Sequence, residues 1–328
     1  MKRRKFITFV GGTAVAWPLA ALAQHNEPVR RIGVLMTTAD DREGQRRLTA
    51  FREGLAQRGW SEGKNISIEV NWAVSDAERA RSVVNELIGR APDLILTSGT
   101  SATSALHRAR TGIPVVFTVV SEPVEEGFVQ SLAHPGGNMT GFSNLEPSLG
   151  GKWVELLKEI APGVTRAAII FNPQTAPAAF VNSRSADQAA AKLAIELVRS
   201  PVHDPAGIES AIAALRRQTD GFILLPDTFL NIHRKLIVEL AARCQLPAIY
   251  PFSYLVTEGG LASYGIDLAD CFRQAAGYID RIFRGEKPAD LPVQQPTKFD
   301  LAVNLGAAKA LGIELSPSLL ARADEVIE

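Results

Sequence analysis

Thr97-Ser98-Gly99-Thr100-Ser101 places four hydroxyl side chains around one glycine. The run lies between a short apolar segment and a helical pattern, where a strand hands over to a helix. The first N–H groups of a helix lack partners within it, and the helix dipole favours negative charge there. Hydroxyls beside such N–H groups suit a carboxylate or another anion. The alternative is N-capping of the helix by Ser98 or Thr100, and both roles are compatible. Ser121-Glu122-Pro123 follows a later apolar run and is a second candidate. Asn172-Pro173, Pro226-Asp227-Thr228-Phe229 and Tyr250-Pro251-Phe252-Ser253-Tyr254 follow others. Asp227 suits a ligand cation or, equally, a helix N-cap. The aromatic cluster at Tyr250, Phe252 and Tyr254 suits a pocket wall or packing between lobes.

Motifs for bond-making chemistry are missing. Gly99-Thr100-Ser101-Ala102-Thr103 comes nearest to a nucleophile elbow but lacks its second glycine. The chain has no P-loop, no G-x-G-x-x-G after a strand and no H-E-x-x-H. No catalytic residue and no cofactor is expected. Cys244 and Cys271 have no second Cys or His at ligand spacing, so no metal is expected either. A disulfide between them stays open as an alternative to two free thiols. The histidines, at 25, 107, 134, 203 and 233, are scattered.

The 328 residues are long enough for two domains, with 46% hydrophobic and 21% charged residues. Lys plus Arg equals Asp plus Glu at 35 each, so no basic field exists to hold nucleic acid or anionic lipid. Residues 1–23 join a cationic start, a short apolar stretch and a small-residue ending, Ala21-Leu22-Ala23. That is the pattern of a secretory signal peptide, and it predicts an exported, periplasmic protein. Arg3-Arg4-Lys5-Phe6-Ile7 partly matches the twin-arginine signal for folded export, with Lys2 where Ser or Thr is usual. Residue 24 is Gln rather than a lipid-accepting Cys. No membrane anchor is therefore expected, an uncleaved leader being the alternative.

After the leader, the pattern predicts strands over 31–36, 66–70, 94–96 and 115–120, with helices over 43–58, 78–88 and 102–110 between them. It then begins again, with strands over 166–171, 194–198, 222–225 and 248–250 and helices over 178–193, 207–217 and 232–243. A helix over 268–283, a proline-rich loop and a short tail follow. Such alternation means βαβ units and parallel sheets. The halves echo each other: Ile113-Pro114-Val115 and Leu246-Pro247-Ala248 both end a helix with Pro and open a strand. Two similar α/β lobes explain the echo, and shared α/β punctuation is the plainer account.

Gly33-Val34-Leu35, Ser121-Glu122-Pro123-Val124, Pro135-Gly136-Gly137-Asn138-Met139-Thr140-Gly141, Gly259-Gly260-Leu261-Ala262-Ser263-Tyr264-Gly265 and Gly285-Glu286-Lys287-Pro288 resemble one family. It is the extracytoplasmic substrate-binding proteins of ABC importers, in the branch that binds tryptophan or tyrosine. The tail from Lys298 to Ile327 fits the same family. The resemblance implies the type I periplasmic-binding fold: two doubly wound parallel-sheet lobes, a three-strand hinge and a ligand between them. It divides the chain into lobe 1 (24–145 with 266–328) and lobe 2 (146–265). It implies a ligand held by Ser98, Gly99, Thr100, Ser101, Ser121, Glu122 and Pro123, facing Asn172, Asp227, Thr228, Tyr250, Phe252 and Ser253. It implies a small carboxylate-bearing ligand, an ABC permease and ATPase as partners, and a monomer. One departure stands out: where the amino-acid binders read Pro-Thr-Asp-Asn, this chain reads Pro226-Asp227-Thr228-Phe229. An aromatic acid thereby joins the amino acids as a candidate ligand. A sensor feeding a membrane receptor is a second reading. An exported enzyme with Glu122 and Asp227 facing across the cleft is a third.

Overall fold

A computed structural model describes residues 29–72, 74, 77–144, 146–215 and 220–328. The expected signal peptide, 1–23, lies outside the described residues. In the first lobe, β1 (Arg30–Met36), α1 (Arg42–Ala56), β2 (Ile66–Asn71), α2 (Ala77–Gly89), β3 (Leu94–Ser98), α3 (Thr100–Ala109) and β4 (Val115–Val120) alternate as the pattern predicts, and a strand that it does not predict, β5 (Met139–Ser143), follows β4 directly. Their strands form a five-stranded sheet, β2-β1-β3-β4-β5, with every pairing parallel. The period of two decides which core each side chain joins. Ile32, Val34 and Met36 face one core with Phe51 and Leu55 of α1, while Leu35 faces the other with Val84 and Leu106. Helices therefore cover both faces of the sheet.

The chain then crosses to a second sheet. There α4 (Leu149–Ile160), β6 (Arg166–Phe171), α5 (Ala178–Val181), α6 (Arg184–Lys192), β7 (Glu196–Pro201) and α7 (Pro205–Ala213) come first. They are followed by β8 (Asp220–Leu224), α8 (Thr228–Ile232), α9 (Arg234–Arg243), β9 (Ala248–Tyr250), α10 (Ser253–Thr257) and β10 (Ala262–Gly265). Ala167, Ile169 and Phe171 of β6 enter one core, and Ala168 and Ile170 the opposite one. One expected helix proves to be a pair: the 178–193 pattern breaks at Ser183, which caps α6 through the Ala186 N–H. The 232–243 helix is α9, preceded by the short α8 that the pattern does not predict.

The tail corrects the expected lobe boundaries. After a second crossing, α11 (Leu268–Phe283) does return to the first lobe, where Phe272, Ala275 and Ile279 pack with Phe51 and Leu55. A third crossing leads back out. β11 (Asp300–Asn304), α12 (Leu305–Ala310), α13 (Pro317–Arg322) and β12 (Glu325–Ile327) all join the second lobe. Its sheet runs β12-β11-β10-β9-β8-β6-β7, parallel except that β11 is antiparallel to β10. Leu301 and Val303 are the reason: they bury against Ala262 and Ile249 in the second core. Among the described residues the chain thus passes three times between the sheets, between β5 and α4, at 266–267 and near 295–299, consistent with a three-strand hinge. At the second passage Gly265 has no room for a side chain, since a Cβ would sit 1.8 Å from the Pro251 carbonyl oxygen. Among the described residues no helix is long and apolar enough to cross a membrane.

Candidate functional site

The C-terminal ends of the parallel strands from both sheets meet across a cleft, the edge where open α/β sheets take ligands. An inner cavity of about 50 Å3 is bordered on the first-lobe side by Thr37, Thr38, Arg47, Ser98, Gly99, Thr100, Val119, Ser121 and Asn144. Thr175, Asp227, Thr228, Asn231, Phe252 and Tyr254 close it from the second lobe. An outer cavity of about 380 Å3 shares Thr100, Ser121, Thr175 and Thr228 with it and adds Ser101, Arg108, Glu122 and Glu126.

The start of α3 decides between the two readings of the hydroxyl cluster. Gly99 is the N-cap residue and no side chain caps the helix, neither Ser98 nor Thr100. Gly99 is required here: its φ is +88°, and a Cβ would meet the Thr37 hydroxyl at 2.8 Å. Its own N–H is spent on the Thr118 carbonyl at 2.9 Å. The following N–H groups, of Thr100 and Ser101, have no hydrogen bond among the described residues. The Ser101 hydroxyl is buried and unpartnered as well. An uncapped helix end with unused N–H donors therefore borders the cleft. Ser121 is less free, since its hydroxyl donates to Asn144 Oδ1 at 2.9 Å.

The second wall is differently committed. Asp227 is buried, and its carboxylate accepts from Leu230 N–H (2.8 Å), Asn172 N–H (2.8 Å) and the Thr175 hydroxyl (3.1 Å). It caps α8 and ties two strand ends together. Burial raises its pKa above the usual carboxylate value, although these donors pull the other way. Asn172 lies outside both cavities; its side chain turns back to the Gln174 N–H at 2.9 Å. Pro123 and Ser253 also fall outside them. Tyr250 does too, because β9 points it into the core against Phe222 while Phe252, two residues on, stacks on Tyr254 at the cleft.

Three contacts join the lobes around the cavity, and a fourth ties α1 to the second crossing. Glu122 Oε2 accepts from the Ala178 N–H at 2.8 Å on one rim. On the other, Arg234 reaches Asp41 at 2.6 Å while also pairing with Glu258 at 3.0 Å. Arg46 pairs with Asp267 at 3.3 Å, and the Arg47 guanidinium lies over the Tyr254 ring at 5.4 Å. Burial pushes the Tyr254 phenol up to about 12, so it stays a neutral donor, here to Asn231. Cys244 and Cys271 are both free thiols, which closes the disulfide alternative. Among the described residues no cluster of His, Cys, Asp and Glu could hold a metal.

Thr37, Thr38, Arg47, Val119, Asn144, Asn231 and Leu268 border the cavity without having been singled out in the sequence. Val119 did carry a readable consequence but no readable signal. It sits at φ +58° beside a register shift in β4, a strained conformation for a β-branched residue, and packs against cores of both lobes.

Comparison with known proteins agrees with this architecture. A tyrosine-binding protein of Clostridioides difficile is 27% identical over 268 residues, covering 80% of this chain and 76% of that protein. A conserved domain protein of Vibrio cholerae has a solved structure that is 30% identical, with a TM-score of 0.81 over 91% of this chain and 99% of its own. The ABC domain of a Streptococcus pneumoniae protein, solved in complex with L-Trp, is 24% identical with a TM-score of 0.82 over the same shares. Residues 33–327 match the family described as ABC transporter substrate binding protein, and the chain belongs to that family.

Proposed function

We propose that this protein is exported through its 1–23 leader and captures a small carboxylate-bearing solute, an aromatic amino acid or aromatic acid, by closing its two lobes on it. A permease with its ATPase then takes the solute from the closed form. The observation that carries this reading is the uncapped α3 start at the cleft, with Thr100 and Ser101 N–H groups and a buried Ser101 hydroxyl that have no partner among the described residues. Such donors hold a carboxylate by charge-assisted hydrogen bonds, each worth about 1.5–3 kcal/mol. The tyrosine-binding relative and the L-Trp complex support the ligand class. Phe252, stacked on Tyr254 at 5.7 Å, supplies an apolar flank for a ring. Closure needs a ligand that touches both walls, since only differential contact shifts the equilibrium.

A thermal-shift screen of amino acids, aromatic acids and decarboxylated amines tests the reading. A true ligand at one hundred times its dissociation constant adds about 2.7 kcal/mol to stability, a clear rise in Tm. Stoichiometric binding without turnover is the expected result, and turnover would instead favour an exported enzyme. A receptor that co-purifies with the loaded protein in place of a permease would favour a sensor.

A further inference from the structure

The inner cavity has one charged group that does more than join the lobes. Arg47 projects from α1 and is only 3% exposed, yet it borders the cavity. A guanidinium removed from water needs its donors met. Glu43 holds Nε at 2.9 Å while sharing its carboxylate with Arg46 at 2.8 Å, and the guanidinium also meets the Tyr254 phenol. Thr38, on the loop after β1, is 6% exposed, borders the same cavity, and its hydroxyl has no partner. Arg47 and Asp227 are the two charged residues of the inner lining. Asp227 already accepts three hydrogen bonds. The charge left to meet a ligand there is positive. Arg47, Thr38 and the α3 start all border this one cavity.

We infer that Arg47 and Thr38 complete the carboxylate site opposite the α3 N-terminus, so that Arg47 sets the protein's preference for acids over amines. This rests on the ligand class proposed above and names the residue that enforces it. Because Arg47 also lies over Tyr254 of the second lobe, it couples recognition of the acid to closure.

The test is calorimetry on wild type, Arg47→Met, Arg47→Lys and Thr38→Val with matched solutes: L-tryptophan, indole-3-propionate and tryptamine, then L-tyrosine and tyramine. Wild type is expected to prefer each acid over its decarboxylated amine by at least about tenfold, the scale of one charge-assisted contact. Arg47→Met should bring that ratio close to one, and Arg47→Lys should keep part of it. Thr38→Val should weaken the acids a few-fold and leave the amines unchanged. An acid-to-amine ratio that survives in Arg47→Met overturns the inference. If that ratio survives there but collapses in Thr100→Ala/Ser101→Ala, the proposed ligand class stands and only the role of Arg47 falls. Wild type that binds acid and amine equally, or binds neither, sinks both. Should Arg47→Met fail to fold by circular dichroism, unchanged ratios in both Arg47→Lys and Thr38→Val overturn the inference by themselves.

Discussion

The two walls of the cleft use similar residues for opposite purposes. On the first lobe, Thr38, Thr100 and Ser101 hold donors that nothing among the described residues uses. On the second, Asp227 and Asn172 spend their polar atoms on the loops of that wall itself. A strand-end polar residue is therefore a binding residue only where the local backbone leaves it unpaired. Gly99 produces that condition on the first wall by starting α3 without a side-chain cap, whereas Asp227 removes it on the second by capping α8.

The largest effect expected from this contrast is on stability. Asp227→Ala removes an N-cap and two further hydrogen bonds to a buried carboxylate, and should cost about 3 kcal/mol in urea unfolding. Equal stability to wild type would erase the difference between the walls. Next, Thr100→Ala/Ser101→Ala should leave unfolding within about 1 kcal/mol of wild type, because neither side chain caps the helix. The same variant should lose at least about tenfold in ligand affinity by calorimetry.

A smaller effect is expected at the rim. Arg234→Met breaks the pair with Asp41 that joins the lobes, and should weaken binding a few-fold by favouring the open form, with most of the loss already present in wild type at high salt. Asp41 carries a matching titration. Burial pushes its carboxyl up, but the Gly44 N–H and Arg234 outweigh this and leave its pKa lowered. Its contribution to stability is thus present above the ordinary aspartate range and fades as pH falls through the lowered value. Titrating Tm against pH in wild type and Arg234→Met should show less of that acid loss in the variant. The smallest effect concerns Glu126 in the outer cavity, whose pKa is raised by burial and then by the neighbouring Glu122 charge. A raised carboxyl favours the fold below its ordinary pKa and loses that advantage as pH rises through the folded value. Glu126→Gln should therefore flatten a slight fall in Tm across the mildly acidic range.

Much of the fold was legible because it is local. Apolar runs of four to six residues bounded by helical patterns are strands, and their C-terminal loops are where α/β sheets bind. That reasoning placed Ser98, Thr100, Ser101, Ser121, Glu122, Asp227, Thr228 and Phe252 along the two cavities. It misplaced Tyr250, which is still part of β9 with its ring in the core against Phe222 and not in the loop that follows. It had no means of finding Arg47, whose helical face reads as an ordinary charged position paired with Glu43 at i−4.

The order of strands and helices, the hydroxyl-rich loop before α3 and the neutral charge were decided by residues adjacent in the chain. The destination of the tail was not. β11 and β12 are short runs whose choice of sheet depends on which core has room for Leu301 and Val303, and that core is assembled from residues far away in sequence. The availability of each polar group was likewise a tertiary matter. Whether a hydroxyl or carboxylate is free depends on the distant N–H groups that folding brings to it. Only the folded chain decided that Asp227 is spent and that Arg47, Thr38 and the α3 start face one small cavity.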